Sequence, residues 1–212
     1  MIFEPLAPGD VRVHAAPPGP GEVPPWLPAE VRIRAERFRD PAHGHAFLLA
    51  HAFLRRVLGG YLGGGPYAGP LEAGPQGKPC LPGAPLRFSF TRAGGLAACA
   101  VSRDLEVGLD LESPERIGDP DAAAAAFLGP AEAEALLALP GPERPAALLR
   151  AWVAKEALLK LDGRGLSLDP RAVATGPAAW EREAWTGFLE GRTAHLRVLP
   201  LPGAAAALAT WE

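Results

Sequence analysis

Two carboxylates in one short apolar segment are the first residues of this sequence whose spacing suits chemistry. In segment 105–112, leucine and valine alternate with Glu106, Gly108, Asp110 and Glu112, which is the period of a β-strand. Asp110 and Glu112 then share one face, roughly 7 Å apart at their Cα atoms. Such a pair can bind one hard cation such as Mg²⁺, and Gly108 would leave a gap for a ligand beside it. The alternative is an ordinary solvated strand face.

A third carboxylate and two lysines occur together later in the chain. Apolar residues at helical spacing predict a helix over 143–161, closed by Gly163. Glu156 lies at or beside the apolar stripe of this helix, where a carboxylate needs a partner or a metal ion. Lys155 directly precedes it and Lys160 follows four residues later. These residues form either an ordinary helix-surface ion pair or a third metal ligand beside two cations that suit phosphate.

The elements that must position these residues come in two successive groups, each with helices before strands. The first group follows an irregular segment, 1–25, which has strand-like alternation at Val11 and Val13. It comprises helices over 28–38 and 41–58, the second ended by Gly59 and Gly60, and a loop over 63–85. An antiparallel meander is then predicted, with strands over 86–92, 96–102 and 105–112.

The second group repeats this order and sets the expected fold. Short helices over 121–128 and 130–139 and the helix over 143–161 come before two or three strands within 180–212. The repetition predicts an α+β protein of two similar lobes, an N-terminal lobe over 1–104 and a C-terminal lobe over 105–212 that carries the carboxylates.

Composition and charge exclude several classes of function. The chain has 212 residues, of which 48% are hydrophobic and 21% charged, enough for a substantial core. Its net charge of −3 argues against coating nucleic acid or anionic lipid. No apolar stretch reaches the ~18 residues of a membrane span, and two cysteines cannot form a disulfide framework. We therefore expect a soluble, cytoplasmic protein without nucleic-acid or membrane partners.

The carboxylate strand and the lysine helix together resemble the signatures of one enzyme family. Residues 107–112, VGLDLE, and 152–160, WVAKEALLK, are similar to the G-[IVL]-D-[IVL]-E and W-x-x-K-E-[AS]-x-x-K motifs of the 4′-phosphopantetheinyl transferases. The separation of about 40 residues is also that of the family. Gly77-Lys78-Pro79 resembles its G-K-P loop, and residues 88–94 lie where it has F-N-x-S-H-S-G. The chain has 18 arginines but only three lysines, and all three lysines fall on these motifs.

The resemblance implies a fold, a reaction and partners. The length is similar to that of the monomeric type, whose two α/β lobes are related by a pseudo-twofold axis. Members transfer the 4′-phosphopantetheine of coenzyme A to a serine of an apo acyl or peptidyl carrier protein, releasing 3′,5′-ADP. The co-substrate would be coenzyme A and the metal Mg²⁺, with Mn²⁺ as the alternative.

Roles for individual residues also come from the resemblance. Asp110, Glu112 and Glu156 would hold the metal on the pyrophosphate, and Glu156 would act as base for the carrier serine, directly or through a metal-bound water. Lys155 and Lys160 would contact the pyrophosphate and offset charge on the leaving group. The remaining coenzyme A contacts are expected from Lys78, Pro79, Thr91, Arg92, Arg34 and His45.

Two departures from the family pattern leave an alternative open. Thr91-Arg92 replaces the family's Ser-His beside the phosphates, which exchanges a titratable cation for a permanent one. Ala46, next to His45, stands where the family usually has an arginine for the 3′-phosphate, and Arg34, Arg37 and His43 are the candidate substitutes. The alternative function is therefore a non-catalytic relative that binds coenzyme A or a carrier protein.

Overall fold

Two larger antiparallel sheets, each packed against one long helix, and a third sheet of only two short strands occur in the described part of the chain. A computed structural model describes residues 3–17, 21–74, 76–176 and 178–212, so residues 1, 2 and 18–20 of the predicted irregular segment lie outside the described residues. The mixture of helices and sheets confirms the predicted α+β class. The N-terminal elements are β1 (Arg12–Ala16), α1 (Ala29–Ala35), α2 (Pro41–Tyr61), β2 (Glu72–Ala73), β3 (Pro79–Cys80), β4 (Arg87–Ala93) and β5 (Leu96–Ser102).

The C-terminal elements contain the second sheet and the longest helix of this half. They are β6 (Val107–Glu112), α3 (Pro120–Phe127), α4 (Pro130–Ala138), α5 (Arg144–Asp162), α6 (Ala178–Glu181), β7 (Ala184–Leu189), β8 (Arg192–Val198) and β9 (Ala205–Trp211). The helices and strands predicted for this half are confirmed, including the end of α5 at Gly163, which has a φ of +94°. The division into lobes at residue 104 stays a prediction.

The N-terminal sheet has the strand order β1–β5–β4, and α2 packs on it. Asp40 caps α2 by accepting a hydrogen bond from Ala42 N at 2.8 Å, and Pro41 occupies the first turn, where no helical N–H is lost. Phe53, Val57 and Leu58 point from α2 into the core beneath it.

The C-terminal sheet has the order β6–β9–β8–β7, and α5 lies across β6 and β9. The side chains between helix and sheet are fully buried, among them Val153, Leu158 and Ala209. The free edge of β7 is closed at one point, because Phe188 exchanges both backbone hydrogen bonds with Ala174.

Strand β6 joins the two sheets instead of completing a meander. The predicted pairing of β4 and β5 is present, but β6 pairs with β9, not β5, so the three-stranded meander is wrong. Strand β4 meets β6 through side chains: Leu109 N donates to Ser89 Oγ at 2.9 Å. A shared apolar core over the faces of β5, β6 and β9 includes Ala98, Ala100, Val107, Leu109, Leu111 and Leu208.

Gly108 allows α5 to approach β6 more closely than any side chain would permit. A Cβ atom at this position would lie 1.9 Å from Ala157 O and 2.5 Å from Leu161 N. The gap predicted for a ligand is therefore wrong, because the backbone of α5 fills it. The same approach brings the end of α5 over the carboxylate face of β6.

Two predictions for the N-terminal half also need correction. Helix α2 continues through Gly59 and Gly60 to Tyr61, since these glycines serve close packing and not termination. A Cβ on Gly59 would lie 2.0 Å from Gly65 O, and one on Gly60 would meet the Phe3 ring. The predicted loop over 63–85 contains the short hairpin β2–β3.

Within the described ranges, none of the helices combines the length and the apolar character that a bilayer span requires.

Replacing Gly108 by alanine should destabilise the protein, because the methyl group has no space between β6 and α5. We expect the free energy of unfolding to fall by about 2–3 kcal/mol or more, measured by urea denaturation. Gly118→Ala is the matched control, since a Cβ there meets nothing within 4 Å. Equal stability of the two variants would contradict the close approach.

Candidate functional site

A cavity of about 560 Å³ between the two sheets contains most of the residues predicted from the sequence. It lies between α2, the β2–β3 hairpin, β4, β6 and the end of α5. Eight of the predicted residues line it: Arg34, Lys78, Pro79, Thr91, Arg92, Asp110, Glu112 and Lys160.

Asp110 is the most buried carboxylate of the cavity. It is 6% exposed, accepts a hydrogen bond from Lys160 Nζ at 2.6 Å and another from Thr91 Oγ1 at 3.1 Å. Burial raises the pKa of Asp110, whereas the ammonium of Lys160 and the Thr91 hydroxyl oppose that rise. Strand β6 and helix α5 are thus linked by a short, largely buried ion pair.

Glu156 and Glu112 complete a group of three neighbouring carboxylates. Burial, and then the negative charges of Asp110 and Glu112, raise the pKa of half-buried Glu156, while Lys160 and Arg116 lower it. Glu112 accepts from Ser113 N at 3.1 Å and lies 3.5 Å from Arg116 Nε. Glu156 therefore lies close enough to both strand carboxylates for their charges to act on it, but it is not among the residues that line the cavity.

Asp110 and Glu112 each form an ion pair with a cationic side chain of the protein, Lys160 and Arg116 respectively. Among the residues that the structure describes, no three His, Cys, Asp or Glu side chains are gathered closely enough to hold a metal ion. The chemistry of the group nevertheless fits a hard divalent cation, because its members are carboxylates, whose oxygens are the ligands that such an ion takes, and because the negative charges of Asp110 and Glu112 act on Glu156.

The opposite end of the cavity is cationic and aromatic. The guanidinium carbons of Arg34 and Arg92 lie 5.4 and 5.5 Å from the centre of the Phe47 ring, and Arg92 also lies over Phe38. The His51 ring contacts the Phe47 ring at a tilt of 49°, with ring centroids 4.3 Å apart. Burial, followed by the charges of Arg55, Arg34 and Arg92, lowers the pKa of His51 from 6.5 to about 4. This end is suited to an anion.

His51 also lines the cavity, and sequence reasoning assigned it no role in the site. Its Nδ1 is buried without a hydrogen-bond partner among the described residues. The sequence did contain a signal for its position, because His51 lies four residues after Phe47 and so shares the same face of α2.

Lys78 occupies the wall between the two ends. Its ammonium donates to Val107 O at 2.9 Å and contacts Glu106 at 3.2 Å. Burial lowers the pKa of Lys78, and the carboxylate of Glu106 opposes this. The G-K-P residues are thus held against the start of β6 by the hairpin that carries them.

Lys155 does not reach the cavity, which contradicts its predicted contact with a pyrophosphate. Its side chain is 0% exposed and points away from the carboxylates, to Glu132 on α4 at 2.6 Å. The ammonium also donates to Pro170 O and Val173 O, and Glu132 accepts from the backbone and hydroxyl of Thr175. This satisfied, buried pair connects α5 with α4 and the segment before β7.

His45 also lies outside the cavity, although a contact with coenzyme A was predicted for it. The residue is exposed on α2 and lines a separate surface pocket with Arg32 and Leu48. Phe38 borders both pockets, so its ring separates His45 from the cationic end.

The depressed pKa of His51 predicts a pH dependence of stability. The unfolded chain binds a proton near pH 6.5 and the folded chain only near pH 4, so stability falls as the pH is lowered through this window. We expect His51→Gln to remove about 1–3 kcal/mol of that acid-induced loss, measured by urea denaturation between pH 7 and 4. His45→Gln, on the exposed face of the same helix, should leave the loss unchanged. Identical pH profiles of the wild type and the His51 variant would contradict the assignment.

The C-terminal half of the chain is similar to a known protein family. The family model described as the 4′-phosphopantetheinyl transferase superfamily matches residues 106–209, the range that holds all three carboxylates and Lys160.

Curated relatives match a longer part of the chain. The 4′-phosphopantetheinyl transferase HetI of Nostoc sp. is 34% identical over 145 residues, 66% of this chain and 61% of the relative. The 4′-phosphopantetheinyl transferase psf-1 of Bacillus pumilus is 31% identical over 149 residues, 68% and 60% of the two chains. The 4′-phosphopantetheinyl transferase Sfp of Bacillus subtilis is 27% identical over 144 residues, 68% and 63%. The matched segments thus span about 60% of these relatives' lengths, and residues 106–209 are similar to the 4′-phosphopantetheinyl transferase superfamily.

Proposed function

We propose that the protein transfers the 4′-phosphopantetheine group of coenzyme A to a serine of an apo acyl or peptidyl carrier protein. The observation that carries the proposal is the single cavity that joins the Asp110–Lys160 pair to the Arg34–Arg92 end. Coenzyme A has phosphate groups at two separated points, a pyrophosphate and a 3′-phosphate, and the cavity is lined both by Lys160 beside Asp110 and by Arg34 and Arg92 beside Phe47. The names of the relatives, all 4′-phosphopantetheinyl transferases, support the same activity.

The carboxylate end would bind the pyrophosphate together with a metal ion. Members of the family are generally metal-dependent, and Asp110, Glu112 and Glu156 are the residues that would hold the ion. The ion would neutralise charge on the pyrophosphate. Lys160, already directed at Asp110, is placed to donate to a phosphate oxygen and to stabilise the negative charge that develops on the leaving 3′,5′-ADP.

Glu156 is the group best suited to accept the proton of the carrier serine. Its raised pKa brings the carboxyl closer to neutral pH than an ordinary glutamate, which strengthens it as a base. The serine oxygen forms a new bond to the phosphorus that carries pantetheine, and the bond from that phosphorus to the ADP oxygen breaks. The proton passes from the hydroxyl to Glu156, so the leaving group departs as an anion stabilised by Lys160.

The cationic end would bind the 3′-phosphate of coenzyme A. Because it supplies arginines for that phosphate, it weakens the argument for a non-catalytic relative. That alternative rested on Ala46 and Arg92, because the usual arginine on α2 is missing. Arg34 and Arg92 both lie on the Phe47 ring at this end, which supports them as the substitutes. Cytoplasmic location, a monomeric state and the choice between Mg²⁺ and Mn²⁺ stay predictions.

A direct transfer assay tests the proposed activity. The protein is incubated with coenzyme A, Mg²⁺ and an apo acyl carrier protein, and the carrier is weighed by mass spectrometry. We expect the carrier to gain the mass of one phosphopantetheine group, and Glu156→Gln to slow this gain by about 10²–10⁴-fold, the usual contribution of a general base.

The controls separate the metal site from general loss of structure. Excess chelator should abolish transfer, whereas Glu183→Gln, on an exposed residue before β7, should leave the rate unchanged. Saturable binding of coenzyme A without any transfer to several apo carriers would favour the non-catalytic relative.

Arg34→Gln should weaken coenzyme A binding at the 3′-phosphate alone. A charge-assisted hydrogen bond contributes about 1.5–3 kcal/mol, so the dissociation constant measured by calorimetry should rise at least about tenfold. Affinity for 3′-dephospho-coenzyme A should change little in the same variant. Arg37→Gln is the matched control, because Arg37 lies just after α1, the helix that carries Arg34, and is exposed without lining the cavity. Equal losses for both ligands would place the 3′-phosphate elsewhere.

A further inference from the structure

Arg116 lies between a proposed metal ligand and a fixed aromatic surface. It ends the short turn Pro114–Arg116 that follows β6, with Nε 3.5 Å from Glu112 Oε2 and the guanidinium carbon 5.4 Å from the centre of the Trp152 ring. We propose that Arg116 is a positioning residue that neutralises Glu112 in the metal-free protein and yields it to the divalent cation while staying on Trp152. This inference rests on the proposed function for its metal site.

The aromatic surface under Arg116 is rigidly placed. Trp152 lies on α5 one turn before Glu156, and its ring stacks on Phe127 of α3 at 3.8 Å with an interplanar angle of 11°. A guanidinium over an indole face is attracted by the ring quadrupole whether or not it also has a carboxylate partner. Arg116 therefore keeps one favourable contact when it loses Glu112.

The two internal ion pairs of the site differ in strength, and the weaker one contains Arg116. Lys160 binds Asp110 at 2.6 Å, with side chains 30% and 9% exposed. Arg116 binds Glu112 at 3.5 Å, and its own side chain is 57% exposed. Because the longer, wetter pair is better screened by water, a divalent cation displaces Arg116 more easily than Lys160.

Competition between Arg116 and the cation has a measurable consequence. As long as Arg116 holds Glu112, binding of a metal ion must break that pair and bring two positive charges close together. Removal of the guanidinium abolishes both costs, so the protein should bind the ion more tightly. The benefit of the native arrangement is that the Glu112 side chain is already oriented before the ion arrives.

Titration with Mn²⁺, followed by the electron paramagnetic resonance of the free ion, tests the proposal without any turnover. At low ionic strength and without coenzyme A, Arg116→Gln should lower the Mn²⁺ dissociation constant by about two- to fivefold, the strength typical of half-exposed ion pairs. Arg116→Lys, which keeps the charge, should stay near the wild type. The difference between Gln and wild type should shrink as KCl is added.

The matched control removes an equivalent charge far from the site. Arg12 is 47% exposed and lies 3.6 Å from Asp10, so Arg12→Gln changes the net charge equally and should not alter the dissociation constant. A dissociation constant for Arg116→Gln that equals or exceeds that of the wild type overturns the inference. So does the absence of Mn²⁺ binding to both proteins.

The transfer assay, run in parallel, keeps the two proposals apart. Wild-type transfer combined with an unchanged Mn²⁺ constant in Arg116→Gln refutes the role of Arg116 alone. Tighter Mn²⁺ binding in the variant without transfer by the wild type supports the role of Arg116 and refutes the proposed activity.

Discussion

The missing side chain at Gly108 is the constraint on which the site depends. It lets the backbone of α5 rest directly on β6, so side chains that follow on both elements must meet. Asp110 and Lys160 lie just beyond this contact and form their ion pair there, and Glu156 is brought within the field of both strand carboxylates. A bulkier residue would separate helix from strand and lengthen all of these interactions together.

The cavity separates charge along its length. Carboxylates predominate where β6 meets α5, and cations predominate where α2 meets β4. At the acidic end, Lys160 and Arg116 form ion pairs with two of the carboxylates. At the basic end, Arg34 and Arg92 make cation–π contacts with an aromatic ring. A ligand with a metal-bound pyrophosphate at one point and a bare phosphate at another would complement both groups of charges, and the proposed substrate coenzyme A has both features.

Local patterns in the sequence were sufficient for most of the helices and strands and for the placement of the carboxylates on them. The period of two placed Asp110 and Glu112 on one face, and helical spacing placed Glu156 beside the packed stripe. Local patterns were insufficient for Lys155, because its partner Glu132 lies on another helix. Its position next to Glu156 in the sequence suggested that its side chain would point toward the carboxylates. The partner of β6 was likewise missed, since β9 lies about 100 residues further along the chain and no local signal records that pairing.

The apolar core shared by β5, β6 and β9 limits how the cavity can open. Ala98, Leu109 and Leu208 are almost fully buried in it, so swinging the two sheets apart would expose this surface to water at a considerable free-energy cost. Separation of the two sheets is therefore an unfavourable way to widen the cavity. Lys78, beside the two-residue strands β2 and β3, lines the cavity and is not part of this core, so a change in its rotamer would alter the cavity without disturbing the apolar core.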